Sequence, residues 1–420
     1  MAKRLTLYIL FAMVAGIILG ITLNRTISDP ETLTNVTGHI SILTDLFLRL
    51  IKMIIAPLVF ATLVSGIAHM GDTAALGRVG ARSIAWFIGA SLLSLTLGLI
   101  MVNLFQPGVG ADLVLPPEGA SAGLAQTEFS LKQFVTHLVP KSFFEAMATN
   151  EILQIVVFSV FTGVAITAIG ERAAPLVRGI EALVHVMLQI TDYVMRFAPF
   201  AVFAAVTTAL AEQGPGILIS FGKFMGSFYL SMIVLWIVLL LLCWLIVGGR
   251  SKLLIRYIRE PILLAFSTAS SEAAFPRTLE ALDRFGVPPR IASFVLPLGY
   301  SFNLDGSMIY CTFATMFIAQ AYGVELTLGH QITMLLILMV TSKGIAGVPR
   351  ASLVIISSTL AFFDIPEAGL LLILAVDHFL DMGRSATNVV GNAVASVVIA
   401  KWEGTLDPIE PAEIEPPPAP

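Results

Sequence analysis

The chain has 420 residues, of which 57% are hydrophobic and only 12% charged, and its mean hydropathy is +0.90. Soluble domains carry about a quarter charged residues, so the composition argues against a soluble multidomain enzyme and makes the bilayer the expected solvent. The net charge of −4 argues against a nucleic-acid partner. The two cysteines, Cys243 and Cys311, both lie in apolar runs and read as buried free thiols, without a zinc pattern or a disulfide framework. The 6 histidines show no metal-ligand pair on a helix face, and the absence of a P-loop motif leaves ATP-driven transport unsupported. No cofactor is expected.

Residues 5–23 carry no charge, follow Lys3 and Arg4, and are long enough for a first membrane helix. The run is long for the apolar core of a signal peptide, and further spans follow it. Runs at 53–71, 83–105, 152–170, 197–211 and 224–249 predict five more spans, the second beginning near residue 41 and the fifth near 179. Asp45, Arg49 and Lys52, at i, i+4, i+7, read as an interfacial stripe with snorkelling side chains. The loops at 71–82, 171–178 and 248–260 hold Arg78, Arg82, Arg172, Arg178, Arg250, Lys252, Arg256 and Arg259, whereas the alternate loops are poorer in Lys and Arg. The positive-inside rule then places the N-terminus in the cytoplasm, and the expected location is a prokaryotic inner membrane. The Pro- and Gly-containing stretch 106–151 reads as an extracytoplasmic excursion.

The second half is interrupted differently. Residues 261–276 are too short to cross twice and carry the polar tip Thr268-Ala269-Ser270-Ser271-Glu272, which predicts a re-entrant hairpin. Residues 291–324 can cross, but Asn303-Leu304-Asp305-Gly306-Ser307 breaks them near the middle. A second hairpin is predicted at 332–363 around Lys343 to Arg350, and a last crossing at 368–400, with Lys401 at its cytoplasmic exit. One full crossing separates the hairpins, so they enter from opposite faces as an inverted repeat. The Glu- and Pro-rich tail, 403–420, reads as disordered and cytoplasmic.

Ionisable groups at the centre of a membrane helix cost about 2.5–3.5 kcal/mol each on insertion scales, so they are kept where they are paired or line a wet cavity. Asp377, Asp381, Arg384 and Asn388, at i, i+4, i+7, i+11, share one face of the last helix, and Asn392 continues the row. An internal Asp–Arg pair that merely joins helices is the plain alternative. As a site, the row offers a guanidinium to grip a carboxylate and an excess acid for an amine or a cation. Gly344, Ala346, Gly347 and Pro349, flanked by Ser342 and Ser352, cannot form a stable straight helix and suit a gate; a simple kink would use the same residues. Ser270 and Ser271 can offer hydroxyls and helix N-terminal amides to an anion. Asp305 beside Asn303 suits a cation or a proton, although Asp also favours helix caps.

Ser270-Ser271-Glu272, Asn303-Leu304-Asp305-Gly306-Ser307, Gly344-Ile345-Ala346-Gly347-Val348-Pro349 and Asp381-Met382-Gly383-Arg384…Asn388 closely resemble motifs of the glutamate transporter family, the dicarboxylate/amino acid:cation symporters. The early stretch from Leu48 to Phe60 is similar as well, and the likeness covers nearly the whole chain. The resemblance implies an all-α polytopic membrane protein: a homotrimer with eight transmembrane helices and two opposed re-entrant hairpins per subunit. Its scaffold would comprise residues 1–70 and 111–215. Its mobile elevator would comprise 71–110, 216–259 and the core 260–403, with 404–420 as a tail. By the same resemblance Arg384 binds the substrate side-chain carboxylate and Asp381 its amino group. Asn388 and Ser271 contact the α-carboxylate, Ser307 lies near the substrate, and Val348 belongs to the gate.

Four positions depart from sodium-coupled members of that family. Leu304 stands where they carry Met, Asn392 where they carry a sodium-ligating Asp, and Phe87 and Ala90 where they carry a Tyr and a Thr. The sodium cages are thus depleted of oxygen ligands. A proton needs only one carboxylate, and Glu272, Asp305 and Asp377 are available, with Asn303 and Asn392 beside them; His378 is a poorer candidate. The expected function is symport of glutamate or aspartate with protons, sodium being the alternative ion. C4-dicarboxylate symport is the alternative within the family, although that branch tends to carry a small neutral residue where Asp381 stands. A channel, the alternative outside it, would want one continuous polar pathway rather than opposed hairpins.

Overall fold

The structure, a computed structural model, describes residues 2–68, 73–110, 136, 139–342, 351–374 and 376–408. Among these residues the regular structure is helical, with no β-strand. The helices are α1 (Ala2–Thr26), α2 (Pro30–Ala68), α3 (Thr73–Phe105), α4 (Phe143–Thr149), α5 (Ile152–Ile169), α6 (Ala174–Met195), α7 (Ala198–Ser220) and α8 (Gly222–Val247). They continue with α9 (Leu254–Thr268), α10 (Phe275–Phe285), α11 (Pro289–Phe302), α12 (Asp305–Ala321), α13 (Leu328–Thr341), α14 (Ala351–Phe362), α15 (Leu370–Leu374) and α16 (Asp377–Trp402).

Five helical stretches among the described residues are long and apolar enough to cross a membrane: Leu7–Thr26, Pro30–Ala68, Leu76–Phe105, Ile152–Met195 and Gly222–Val247. They carry the first four expected spans and the sixth. The boundaries differ where polar residues fold into helix. α2 starts at Pro30, not near residue 41, because Pro30 occupies the first helical position and Asp29 Oδ2 accepts from Thr32 N at 2.9 Å. Apolar periodicity marks the part in contact with lipid, and the helix extends beyond it. The fifth expected span is two helices. α6 ends in a tightened turn in which Phe197 N bonds to Val194 O at 2.9 Å, and Pro199 sits in the first turn of α7, where no amide donor is needed. Between the fifth and sixth expected spans α7 continues through a kink at Gly214, whose φ is +69°.

The first half of the predicted hairpin at 261–276 also begins earlier. α9 takes in Arg256, Arg259 and Glu260, and α10 follows after a short turn. The long crossing at 291–324 breaks as predicted, into α11 and α12. The last crossing is not continuous from residue 368. A short 3-10 turn and α15 precede α16, which begins at Asp377, where a carboxylate complements the helix N-terminus. The tail is ordered further than expected. Arg82 bonds to Glu403 at 2.7 Å and to the Trp402 carbonyl at 2.5 Å, and Asp407 N donates to Gly286 O at 2.9 Å. Residues 403–408 thus dock on α3 and on the end of α10, and 409–420 lie outside the described residues.

Two sets of helices pack around different partners. α2 meets α5, α6 and α7, and α1 lies on α7, whereas α16 meets α8, α9, α11 and α12, and α3 meets α12. Every residue of α16 from Met382 to Ala400 is buried, so this polar-rowed helix is the centre of its set. Cys243 and Cys311 are free and buried, as their apolar surroundings predicted.

The contact of α1 with α7 uses a small-xxx-small pair, in which bare backbone lets two helices approach closely. A Cβ on Gly16 would stand 2.8 Å from the Phe203 carbonyl oxygen, and one on Gly20 would stand 2.7 Å from that of Thr207. Neither obstacle is a flexible side-chain end. Gly20→Leu is therefore expected to destabilise the fold by about 1–3 kcal/mol or more, read as a lower thermal midpoint of the purified protein; an unchanged midpoint would show that α1 is not held there.

Candidate functional site

The break between α11 and α12 exposes backbone that the membrane interior cannot solvate, and α16 supplies the partners. Asn303 and Leu304 are non-helical (φ/ψ −121°/58° and −94°/66°), so the first amides of α12 lack carbonyl partners within the helix. Asn388 Oδ1 accepts from Gly306 N at 2.9 Å and from Ser307 N at 3.4 Å, and its Nδ2 donates to Ser307 Oγ at 3.4 Å. A side chain of one helix thus caps another. The approach requires glycine, since a Cβ on Gly306 would overlap the Arg384 carbonyl and one on Gly391 the Asp305 carboxylate.

Asp305, fully buried at the N-terminus of α12, receives Ser94 Oγ at 3.0 Å and Asn303 Nδ2 at 3.2 Å. The same Asn303 nitrogen donates to Asn392 Oδ1 at 3.3 Å. Asn303 Oδ1 and Asn392 Nδ2 are buried without a hydrogen-bond partner. Phe87 is buried near them, its ring 3.6 Å from where a Cβ on Gly299 would stand, and Asn392 meets that same position.

About two to four turns from Asn392 toward the start of α16 lies the charged group. Arg384 Nε and Nη2 donate to Asp381 Oδ1 at 2.9 and 2.7 Å, and Nη1 is 4.0 Å from Asp377 Oδ1. Tyr310 OH donates to Asp377 Oδ1 at 2.8 Å, and the Tyr310 ring centroid is 4.6 Å from the guanidinium carbon. The Arg384 side chain is 8% exposed and that of Asp381 31%. Arg384 Nη1 has no hydrogen-bond partner. The arrangement leaves one buried guanidinium donor unused, beside an acid that reaches outward. It can receive a carboxylate and an ammonium side by side. On the opposite side of α16, Trp236 Nε1 donates to Thr387 Oγ1 at 2.9 Å and Tyr229 OH to the Phe379 carbonyl at 2.5 Å, bracing the helix against α8.

Of the residues singled out in the sequence, Asn303, Asp305, Ser307, Asp377, Asp381, Arg384, Asn388 and Asn392 form this one polar seam. Ser270 and Ser271 lie in the turn between α9 and α10. Ser270 Oγ accepts there from Ala273 N at 3.2 Å, Glu272 is exposed, and no described hydrogen bond ties either serine to the seam. Gly344, Ala346, Gly347, Val348 and Pro349 lie outside the described residues. Sequence reasoning missed Tyr310 and Ser94. Tyr310 falls seven residues after Asn303 and three after Ser307, on the same side of α12, and Ser94 falls seven after Phe87 on α3. Helical spacing from residues already chosen puts both at related positions but does not separate them from residues that merely pack. Among the described residues no group of three or more His, Cys, Asp or Glu could hold a metal ion.

A helical bundle with a broken helix at its centre, faced by a helix that carries a buried arginine and two acids, is an arrangement suited to a membrane transporter. The model of the sodium:dicarboxylate symporter family matches residues 5–402. The chain belongs to that family. It is 41% identical to the proton/sodium-glutamate symport protein of Bacillus subtilis over 87% of this chain and 86% of the relative. It is 40% identical to the proton/glutamate-aspartate symporter of Escherichia coli, over 95% and 93% of the two chains. It is 38% identical to the C4-dicarboxylate transport protein of Laribacter hongkongensis, over 97% and 92%.

Tyr310 should act in two separable ways. Tyr310→Phe keeps the ring over Arg384 and loses the bond to Asp377, whereas Tyr310→Leu loses both. A hydrogen bond to a charged group contributes about 1.5–3 kcal/mol, so substrate affinity is expected to fall by roughly tenfold or more in the first variant and further in the second. Calorimetric titration checks the order; wild-type affinity in both would remove Tyr310 from the site.

Proposed function

We propose that the protein imports acidic amino acids, glutamate or aspartate, by symport with protons across a prokaryotic inner membrane. The observation that carries the substrate class is the buried Arg384, with Nη1 free of hydrogen bonds, 4.0 Å from Asp377, and Asp381 held against its other two nitrogens. A dicarboxylate needs the guanidinium; an amino acid needs the neighbouring acid as well. The two helix sets support an elevator: α1, α2 and α5–α7 as the scaffold of a homotrimer, and α3 with α8–α16 as the moving part. In this reading α9–α10 and α13–α14 are re-entrant hairpins, Ser270, Ser271 and Val348 reach the substrate from their tips, Gly344, Ala346, Gly347 and Pro349 form the gate, and both termini are cytoplasmic. The relatives named as C4-dicarboxylate transporters make succinate-type substrates the second reading, and Asp381 favours the first.

Arg384→Thr is expected to abolish uptake of labelled aspartate and glutamate into proteoliposomes. Asp381→Ser is expected to weaken aspartate transport while sparing or improving that of succinate. Losing a charge-assisted bond of about 1.5–3 kcal/mol corresponds to roughly a 10–150-fold loss of affinity. A wild-type protein that carries succinate and ignores aspartate would decide for the second reading.

Proton coupling is supported by the surroundings of Asp305. Phe87, Leu304 and Asn392 offer no carboxylate to a sodium ion, whereas Asn303 can serve Asp305 in either protonation state. Its amide nitrogen donates to the carboxylate, and, turned over, its oxygen accepts from the acid. Glu272 and Asp377 are the other candidate carriers. An inward proton gradient in sodium-free, choline-containing buffer is expected to drive uptake. Uptake that vanishes there and returns in proportion to sodium would replace the proton with sodium.

A further inference from the structure

A groove of about 480 Å³ opens on the side of the molecule away from Arg384, between α8, α9 and α16. Its wall on α8 carries Ile233 and Trp236, its wall on α9 carries Ile262 and Phe266, and its floor is the small pair Gly383 and Ala386 of α16. The lining is almost wholly apolar, and Arg259, between Ile255 and Ile262, is its one charged residue. Ile255, Arg259, Ile262 and Phe266 follow i, i+4, i+7, i+11, so the arginine stands in the same row as the apolar wall. Arg256 lies about one turn nearer the start of α9 and Lys252 in the short 3-10 turn before it, and all three cations are exposed. None of them forms a salt bridge among the described residues, and the neighbouring Glu260 is buried, 3.8 Å from Arg277.

An apolar groove with a cluster of three exposed cations beside its α9 wall matches a ligand with an anionic head and a hydrocarbon tail. A plain apolar crevice would not need an arginine in its lining, and a docking helix from another protein would bring few anionic groups to meet three cations. We propose that this groove binds an anionic phospholipid, its phosphate held by Arg259, Arg256 and Lys252 and one acyl chain lying over Gly383 and Ala386 between Trp236 and Phe266. The inference rests on the chain's residence in a bilayer and is independent of the substrate.

The test uses full-length protein in phosphatidylcholine vesicles, with phosphatidylglycerol or phosphatidylcholine brominated in the acyl chain as the quencher. The signal is the tryptophan fluorescence lost in Trp236→Phe, which isolates Trp236 from the other three tryptophans. Wild-type protein is expected to be half-quenched at a mole fraction of brominated phosphatidylglycerol about fivefold lower per engaged cation than that of brominated phosphatidylcholine. In Lys252→Gln/Arg256→Gln/Arg259→Gln the two lipids should quench alike, and Arg259→Gln alone should lie between. Equal quenching by both lipids in the wild type would mean bulk lipid without headgroup selection and would overturn the proposal. No quenching by either would mean that protein, such as a second copy of the chain, covers the groove, and would overturn it as well. A preference that survives the triple substitution would show that these cations do not hold the head. None of the readouts requires transport, so a wrong substrate or coupling ion leaves the result interpretable.

Discussion

A guanidinium buried in an apolar bundle has to be compensated on every side, and much of this structure follows from that demand on Arg384. Removing one partner from a buried pair leaves an uncompensated charge, at about 3–5 kcal/mol. Asp381 answers two nitrogens, Tyr310 lays its ring across the plane, and Asp377 stands near the third nitrogen while Tyr310 OH holds its carboxylate. The positions of α12 and α16 are therefore coupled through charge as well as shape. Asn388, one turn along α16, then meets the amides that the broken helix leaves open. The charge cluster and the helix break fix each other's register.

The architecture was legible where sequence carries strong physical contrast. Uncharged runs gave the long helices, and Asn303-Leu304-Asp305-Gly306-Ser307 gave the break, because polar and small residues are costly in an apolar crossing unless the backbone opens there or a site needs them. The boundaries were less legible. Residues 30–40, Arg256 to Glu260 and residues 403–408 are polar, and hydropathy separates lipid contact from water contact rather than helix from coil. The hinge before Pro199 was hidden for the opposite reason: a run that is apolar on both sides of a turn shows no change of composition.

The site was half legible. The row Asp377, Asp381, Arg384, Asn388 could be read from spacing alone, since one helix fixes its own periodicity. Its partners on other helices could not. Nothing local to Tyr310 or Ser94 distinguishes an aromatic or a small hydroxyl that faces a charge from one that packs. Their roles depend on which helix lies opposite, and that is set by the close approaches at Gly306 and Gly391.

The central helix is also made after every helix it partners. Synthesis runs from the N-terminus, so α1 to α12 enter the bilayer while Asn303 and the bare amides of Gly306 and Ser307 still await Asn392 and Asn388 of α16. The first helix set, joined through Gly16, Gly20 and α2, has no such dependence and can assemble as it emerges. Biogenesis is thus divided in two: an early frame closed by small residues, and a polar core that completes only when α16 inserts. A chain truncated before Asp377 would keep the frame while presenting unmatched polar groups to lipid, the kind of defect that membrane quality control is built to detect.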